Sequence, residues 1–312
     1  IVSEHLKIKL SEEIKENIIN CRKYLDKKIT TSLDPIYGIN TGFGSLCDVK
    51  IDSINLVKLQ ENLVRSHACG TGDLVPESIV KMMLLLKIKS LSFGYSGVQL
   101  ETVERLVAFY NHDILPIVYT QGSLGASGDL APLAHLALPL LGEGMVCYNG
   151  TKLPTSEVFD IFGWQSISLQ SKEGLALLNG TQFMAAYGIH CLLKSYKLSY
   201  MADLISSISL DAFDGRIEPF DSLIHLLRPH DGQMKTAERI KSFLMGNINN
   251  ITLIGMPGSG KSSISKILSN KLSEQVKPIW PSLLDWPIFI DKTLDEMQTR
   301  KIQDHLHALY LQ

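Results

Sequence analysis

Gly122-Ser123-Leu124-Gly125-Ala126-Ser127-Gly128-Asp129-Leu130-Ala131-Pro132-Leu133 is the stretch from which the rest of the chain is read. At its centre, Ala126-Ser127-Gly128 can condense with itself. The Gly128 amide nitrogen attacks the Ala126 carbonyl carbon when a strained turn brings the two together. Only glycine combines so unhindered a nitrogen with so permissive a backbone. Loss of two waters, one of them carrying the Ser127 hydroxyl, leaves a methylidene-imidazolone ring, an electrophile that no ordinary side chain supplies. The plain alternative is a Gly/Ser loop entering a helix, with Asp129 or Ser127 as its cap. A bare Ala-Ser-Gly would be read that way; the longer string is specific enough to favour the reactive loop.

Working outward, apolar spacing predicts helices over 11–26, 52–70, 76–92 and 98–112, with a further one from Asp129 to Leu141. Ser11 is placed to cap the first. Residues 145–154 suit a hairpin turning at Asn149-Gly150. A long apolar helical region runs from Glu173 to Ser207, broken near Asn179-Gly180, and 221–245 is helical in its later part. The expected class is mainly α, with a small mixed α/β region around the loop. The apolar runs 79–91 and 130–141 are too short or too interrupted to span a bilayer.

Thirty basic residues against 32 acidic ones give a net charge of −2, which argues against a dedicated nucleic-acid binder. The five cysteines are scattered and lack CxxC spacing. They suit a reducing cytoplasm with free thiols rather than a disulfide framework or a metal site. The charged first residues do not read as a signal peptide.

Near Asn247 the character changes. Residues 249–254 read as a short strand, followed by Gly255-Met256-Pro257-Gly258-Ser259-Gly260-Lys261-Ser262, a match to GxxxxGK[ST], and then a helix over 263–272. In such a loop backbone amides cradle phosphate, with Gly255 and Gly260 giving close approach. Lys261 reaches a distal phosphate and Ser262 holds magnesium, so ATP and Mg are the implied ligands. The segment resembles the start of shikimate kinase and related small-molecule kinases. Only about fifty residues follow, short of the ~100 such a domain usually needs. The expected organisation is therefore 1–247 and 248–312.

Five ordered blocks carry a second resemblance: the reactive loop, Tyr37 to Gly44, Asn62 to Gly70, Lys172 to Gln182, and Arg228 to Gln233. Together they resemble the aromatic amino acid ammonia-lyases, most closely the histidine-specific members. The last block departs by carrying Asp231 where the family has proline. The resemblance implies a helical fold whose C-terminal half is absent here, in keeping with Ile1 in place of an initiator methionine. It implies a truncated member whose family relatives are tetramers with shared active sites. It also implies an aromatic amino acid substrate, an electrophile made from Ala126, Ser127 and Gly128, and no external cofactor.

By the same resemblance, Tyr37 is the base for the substrate's β-proton, and its ordinary pKa of about 10 calls for help from a nearby cation or a helix terminus. His67, beside Ser66, bears on substrate choice, because an imidazole there favours a polar ring. Asn179 holds the substrate amine or the ring carbonyl, with Gln182 a weaker candidate, and Asp129 orients the loop. Arg228 and His230 brace structure, and Cys69 is inert helix packing. The leading activity is conversion of L-histidine to urocanate and ammonia. The alternatives are a tyrosine or phenylalanine ammonia-lyase or aminomutase, an inactive fragment or pseudoenzyme, and a nucleotide-binding module at the C-terminus.

Overall fold

The computed structural model describes residues 6–31, 34–42, 49 and 51–245. Gly255, Gly260, Lys261 and Ser262 lie outside the described residues. The chain divides into two compact units, 1–193 and 194–312.

In the first unit, α1 (Glu12–Thr31), α2 (Ser53–His67), α3 (Glu77–Ser92) and α4 (Leu100–Asn111) are followed by α5 (Leu130–Ala137), α6 (Thr155–Phe162) and α7 (Glu173–Leu178). The mainly helical class is as expected. Ser11 Oγ accepts the Ile14 amide at 3.3 Å, so the predicted cap is present. Pro132 is tolerated early in α5, where its missing N–H would have had no partner. Pro139 ends the same helix, which tightens into a 3-10 turn over Leu138–Leu141.

Among the described residues, five short strands form two sheets. In one, β1 (Thr71–Leu74) pairs antiparallel with β3 (Tyr119–Gln121). In the other, the order is β2 (Leu115–Pro116), β4 (Met145–Tyr148), β5 (Thr151–Pro154), all antiparallel. The β4–β5 hairpin turns at Asn149-Gly150, the predicted position, with both residues at positive φ. Strands β1, β2 and β3 and helix α6 were not anticipated. These strands are two to four residues long, too short to show alternation.

The core of this unit gathers Val64 from α2, Met83, Leu84 and Leu91 from α3, Leu106 and Phe109 from α4, and Leu133 and Leu136 from α5. Two buried side chains tie α7 to its neighbours. Glu173, fully buried, accepts the Gln99 and Gln170 amides at 2.8 Å each, Gln99 Nε2 at 2.7 Å and the Thr102 hydroxyl at 2.7 Å. Gln60 of α2 accepts the Gly174 amide at 2.9 Å. Cys147 donates to Glu77, and burial pushes its thiol up to about 11.

α8 (Gln182–Ala212) starts in the first unit. It leaves Leu192, Leu193, Tyr196 and Leu198 exposed. In the second unit, α9 (Ser222–Leu226) and α10 (Asp231–Met245) follow a sharp turn. Arg239 of α10 pairs with Asp203 at 2.6 Å and lies over the Tyr200 ring, while Tyr200 meets Phe243 edge-on. Arg228 and His230 are exposed, and their backbones end α9 and start α10. No described helix is long and apolar enough to cross a membrane. Among the described residues, no cluster of His, Cys, Asp and Glu could hold a metal ion.

Candidate functional site

The loop between β3 and α5 is a run of bends from 125 to 129, with Gly122, Gly125 and Gly128 all at positive φ. Ala126 and Ser127 are exposed, whereas Asp129 beneath them is 1% exposed. Besides the helical bond its carbonyl accepts from Leu133, three hydrogen bonds fasten Asp129. Its amide donates to Gly180 O at 2.8 Å, and its carboxylate accepts the Ser123 hydroxyl at 2.8 Å and the Met184 amide at 3.0 Å.

This bears on the plain alternative, a loop capped onto its own helix. Neither Asp129 nor Ser127 caps α5, whose N-terminus has no side-chain cap. Asp129 instead caps α8, by taking an amide of that helix's first turn from 55 residues away. Its negative charge there also meets the positive end of the α8 dipole.

The break at Asn179-Gly180 forms the facing wall. Asn179 ends α7 in extended conformation with an exposed side chain, and Gly180 follows at φ +150°. Gly128, at φ +100°, is pressed against this wall. A Cβ on Gly128 would lie 2.6 Å from Gly180 O and 2.9 Å from Gly180 N. Any other residue here would be strained twice, by its backbone angle and by contact with backbone atoms. The tripeptide is thus an exposed, tightly bent segment on a buried, fully bonded base. Those are the features that self-condensation of Ala126-Ser127-Gly128 demands, and these residues fit the implied prosthetic group.

His67 ends α2. Its Nδ1 lies 2.8 Å from Leu63 O and 3.1 Å from Ser66 Oγ. A carbonyl can only accept, so Nδ1 carries the hydrogen of that bond, and Nε2 is left for a second interaction. The chain leaves the helix here, earlier than the predicted Gly70. Cys69 is therefore exposed and outside the helix, not packed within it. Gly70 then passes against the start of the loop, its Cα 3.1 Å from where a Cβ on Gly122 would be. The Gly70 amide donates to His135 Nε2 at 2.9 Å, and burial lowers the pKa of His135. That imidazole accepts, is neutral, and meets the Tyr119 ring edge-on.

Tyr37 stands on a separate turn, 57% exposed. The Ile39 and Asn40 amides close that turn onto Ile36 O at 3.1 and 3.2 Å. Asn40 braces it with its side chain, accepting the Ile36 amide and donating to Asp34 O. The fold thus links Ala126, Ser127, Gly128, Asp129 and Asn179 in one bonded unit. It joins His67 to them through Gly70, and it holds Tyr37 on its own glycine-rich turn.

The sequence reading missed His135, Ser123 and Lys87. Lys87 is 1% exposed, and its ammonium donates to Ala176 O at 3.2 Å and Asn179 O at 3.1 Å. Burial lowers its pKa to about 7, against the opposing pull of the Asp129 charge. The available signal was phase. Lys87 falls three residues after Leu84 and four before Leu91, on the stripe that faces the core.

The sequence profile of the aromatic amino acid lyases matches residues 1–277. Histidine ammonia-lyase 2 of Fusobacterium nucleatum is 44% identical over 241 residues, which cover 77% of this chain and 47% of that protein. Among solved structures, histidine ammonia-lyase from Trypanosoma cruzi superimposes with a TM-score of 0.70 at 36% identity, covering 76% of this chain and 45% of that one. Tyrosine aminomutase from Streptomyces globisporus does so with a TM-score of 0.72 at 30% identity, covering 89% and 51%. The chain spans about half the length of the relatives it matches. On the profile match and these identities, the chain belongs to the aromatic amino acid lyase family.

Proposed function

We propose that this chain carries the electrophile-bearing half of an ammonia-lyase that converts L-histidine to urocanate and ammonia. The observation that carries the reading is the clamp on Gly128, a positive-φ glycine whose Cβ position is filled by the backbone of Gly180, directly after an exposed Ala-Ser. Once formed, a methylidene-imidazolone at 126–128 supplies an electrophile that side chains lack. The remaining duties fall to this chain's residues. Tyr37 takes the β-proton as the carbon–nitrogen bond breaks, the new double bond forms and ammonia departs. His67, its Nδ1 committed to Leu63 O, offers Nε2 to a polar substrate ring. Such a site rejects a ring lacking the matching group by roughly 10⁴-fold, because the imidazole is then left unpaired. Asn179 sits beside the clamp, placed to hold the substrate amine.

The activity belongs to an assembly. The 241 matched residues are 47% of the Fusobacterium relative, which is therefore roughly 1.6 times as long as this chain. In this reading the active unit is a homotetramer in the cytoplasm whose other segments complete each site. A phenol can also pair with His67, and the likeness to tyrosine aminomutase keeps a tyrosine substrate as the second reading. Residues 248–312 form a separate segment by the phosphate-loop pattern of 255–262, a division supported by sequence alone. The family match runs through this pattern to residue 277, so the lyase reading covers it as well. Nucleotide binding lost in Lys261→Ala is the test of that segment.

Intact mass of the purified chain, with urocanate absorbance after adding histidine, tests the main reading. Loss of two waters with urocanate supports it, and β-tyrosine or coumarate from tyrosine moves it to the second reading. Loss of two waters without turnover places the remaining groups in the part of the relatives that this chain does not span. An unmodified mass under all conditions sinks it in favour of a non-catalytic fragment.

A further inference from the structure

Lys87 serves no step of the proposed reaction, yet it is among the largest fully buried side chains. A buried ammonium is costly unless its hydrogens are all taken up. Here two of them are aimed at one place, the carbonyls of Ala176 and Asn179 at the end of α7. Carbonyls in the last turn of a helix lack partners within it. The residue after Asn179 is Gly180, whose carbonyl takes the Asp129 amide and whose backbone lies against Gly128. A continuous line of bonds therefore runs from α3 through Lys87 to the Asn179-Gly180 wall and on to the loop. Asp129, at the far end of that line, faces Lys87 electrostatically from the α5 side.

We propose that Lys87 is a positioning residue for the reactive loop: by gripping the Ala176 and Asn179 carbonyls it fixes Gly180 against Gly128 and keeps Ala126-Ser127-Gly128 in the turn from which it closes. The inference rests on the ring-forming role given to this tripeptide above. A merely structural lysine would support the fold without selective effect on the loop. Lys81 provides the comparison, being on the same helix, buried and paired with Asp113, away from this line of bonds.

The test compares the full 312-residue chain with Lys87→Met, Lys87→Gln and Lys81→Met. Two quantities are read: the fraction of chains that have lost two waters, by intact mass, and peptide-level hydrogen exchange across 122–130 and 176–184. Lys87→Gln keeps a donor but falls one bond short of the carbonyls, and it decides the matter if Lys87→Met does not fold. The expected result is faster exchange in both peptides and an initial dehydration rate down by about tenfold or more, since misplacement by ~1 Å can cost ~10²-fold. Lys81→Met, with exchange in both peptides unchanged, should dehydrate at the wild-type rate. Equal dehydration and equal exchange in the Lys87 and Lys81 variants overturn the proposal. If the wild-type chain keeps its full mass, the ring-forming reading fails on its own. Exchange then decides alone whether Lys87 holds the wall, with selective loss of protection supporting that and no change overturning it.

Discussion

Gly128→Ala concentrates the consequences of the clamp in one methyl group. The new Cβ would sit 2.6 Å from Gly180 O, where ordinary contact begins near 3.4 Å, so the wall or the loop must give by about 0.8 Å. The φ of +100° adds a backbone cost of ~1–2 kcal/mol for an L-residue. Forcing atoms into a filled space costs a further ~1–3 kcal/mol. The total of ~2–5 kcal/mol should lower the melting temperature by roughly 5–20 °C, at ~2–4 °C per kcal/mol for a unit of this size. Gly125→Ala is the matched control. Its φ is +75°, but a Cβ there meets nothing within 4 Å, so only the backbone cost of ~1–2 kcal/mol applies. The assay is thermal denaturation of both variants beside the wild type, with intact mass recorded before heating. Gly128→Ala should melt well below Gly125→Ala and keep its full mass. Melting temperatures within ~2 °C of each other would show that no clamp exists and refute the reasoning.

Three further outcomes are expected. Lys87 titrates near 7 in the folded chain and near 10.4 when unfolded, so the unfolded chain binds more protons between those values. Stability should therefore rise with pH from about 7 to about 10.4, by up to ~1.4 kcal/mol per unit, with the whole cost of the buried charge present below pH 7. Urea melts across that range should show this slope in the wild type and its loss in Lys87→Met. Asp129→Asn removes the charge that holds the Lys87 value up, so the rise should begin at lower pH. It should also cost ~1 kcal/mol: the amide oxygen still accepts the Met184 amide and the Ser123 hydroxyl turns to accept from the new NH₂, but the negative charge at the start of α8 is lost. Glu173→Gln sets an NH₂ among four donors and should cost ~2–3 kcal/mol in a urea melt, although no charge is exposed or gained.

Long elements and turns were legible in the sequence because each announces itself locally. The hairpin at Asn149-Gly150 and the break at Asn179-Gly180 are positive-φ or chain-ending positions that few residues tolerate. The apolar stripes of α3 and α4 recur at the helical period. The Ala126-Ser127-Gly128 tripeptide stood out as a candidate, because its residue types permit a condensation that others do not. What escaped was long-range. Nothing near Asp129 in sequence says that its carboxylate takes an amide from the first turn of α8, and local statistics assign it to its own helix. Lys87 carried a local clue, its phase on α3, but the clue says only that the lysine is buried. That its partners are the carbonyls beside Gly180 depends on the packing of α7 against the rest of the unit. The two- to four-residue strands formed where tertiary packing placed extended segments side by side, not from any periodicity of their own.

The contact between Gly128 and Gly180 also sets a limit on how the chain can recover from damage. Some intolerant glycines face side chains. A Cβ on Gly97 would strike Leu25 Cδ2 at 2.7 Å, so a second change, Leu25→Val, can relieve the collision. The three atoms nearest a Cβ on Gly128 all belong to the main chain of Gly180, which no substitution removes. A selection for second-site revertants of Gly97→Ala should return changes at Leu25, whereas the same selection on Gly128→Ala should return glycine itself.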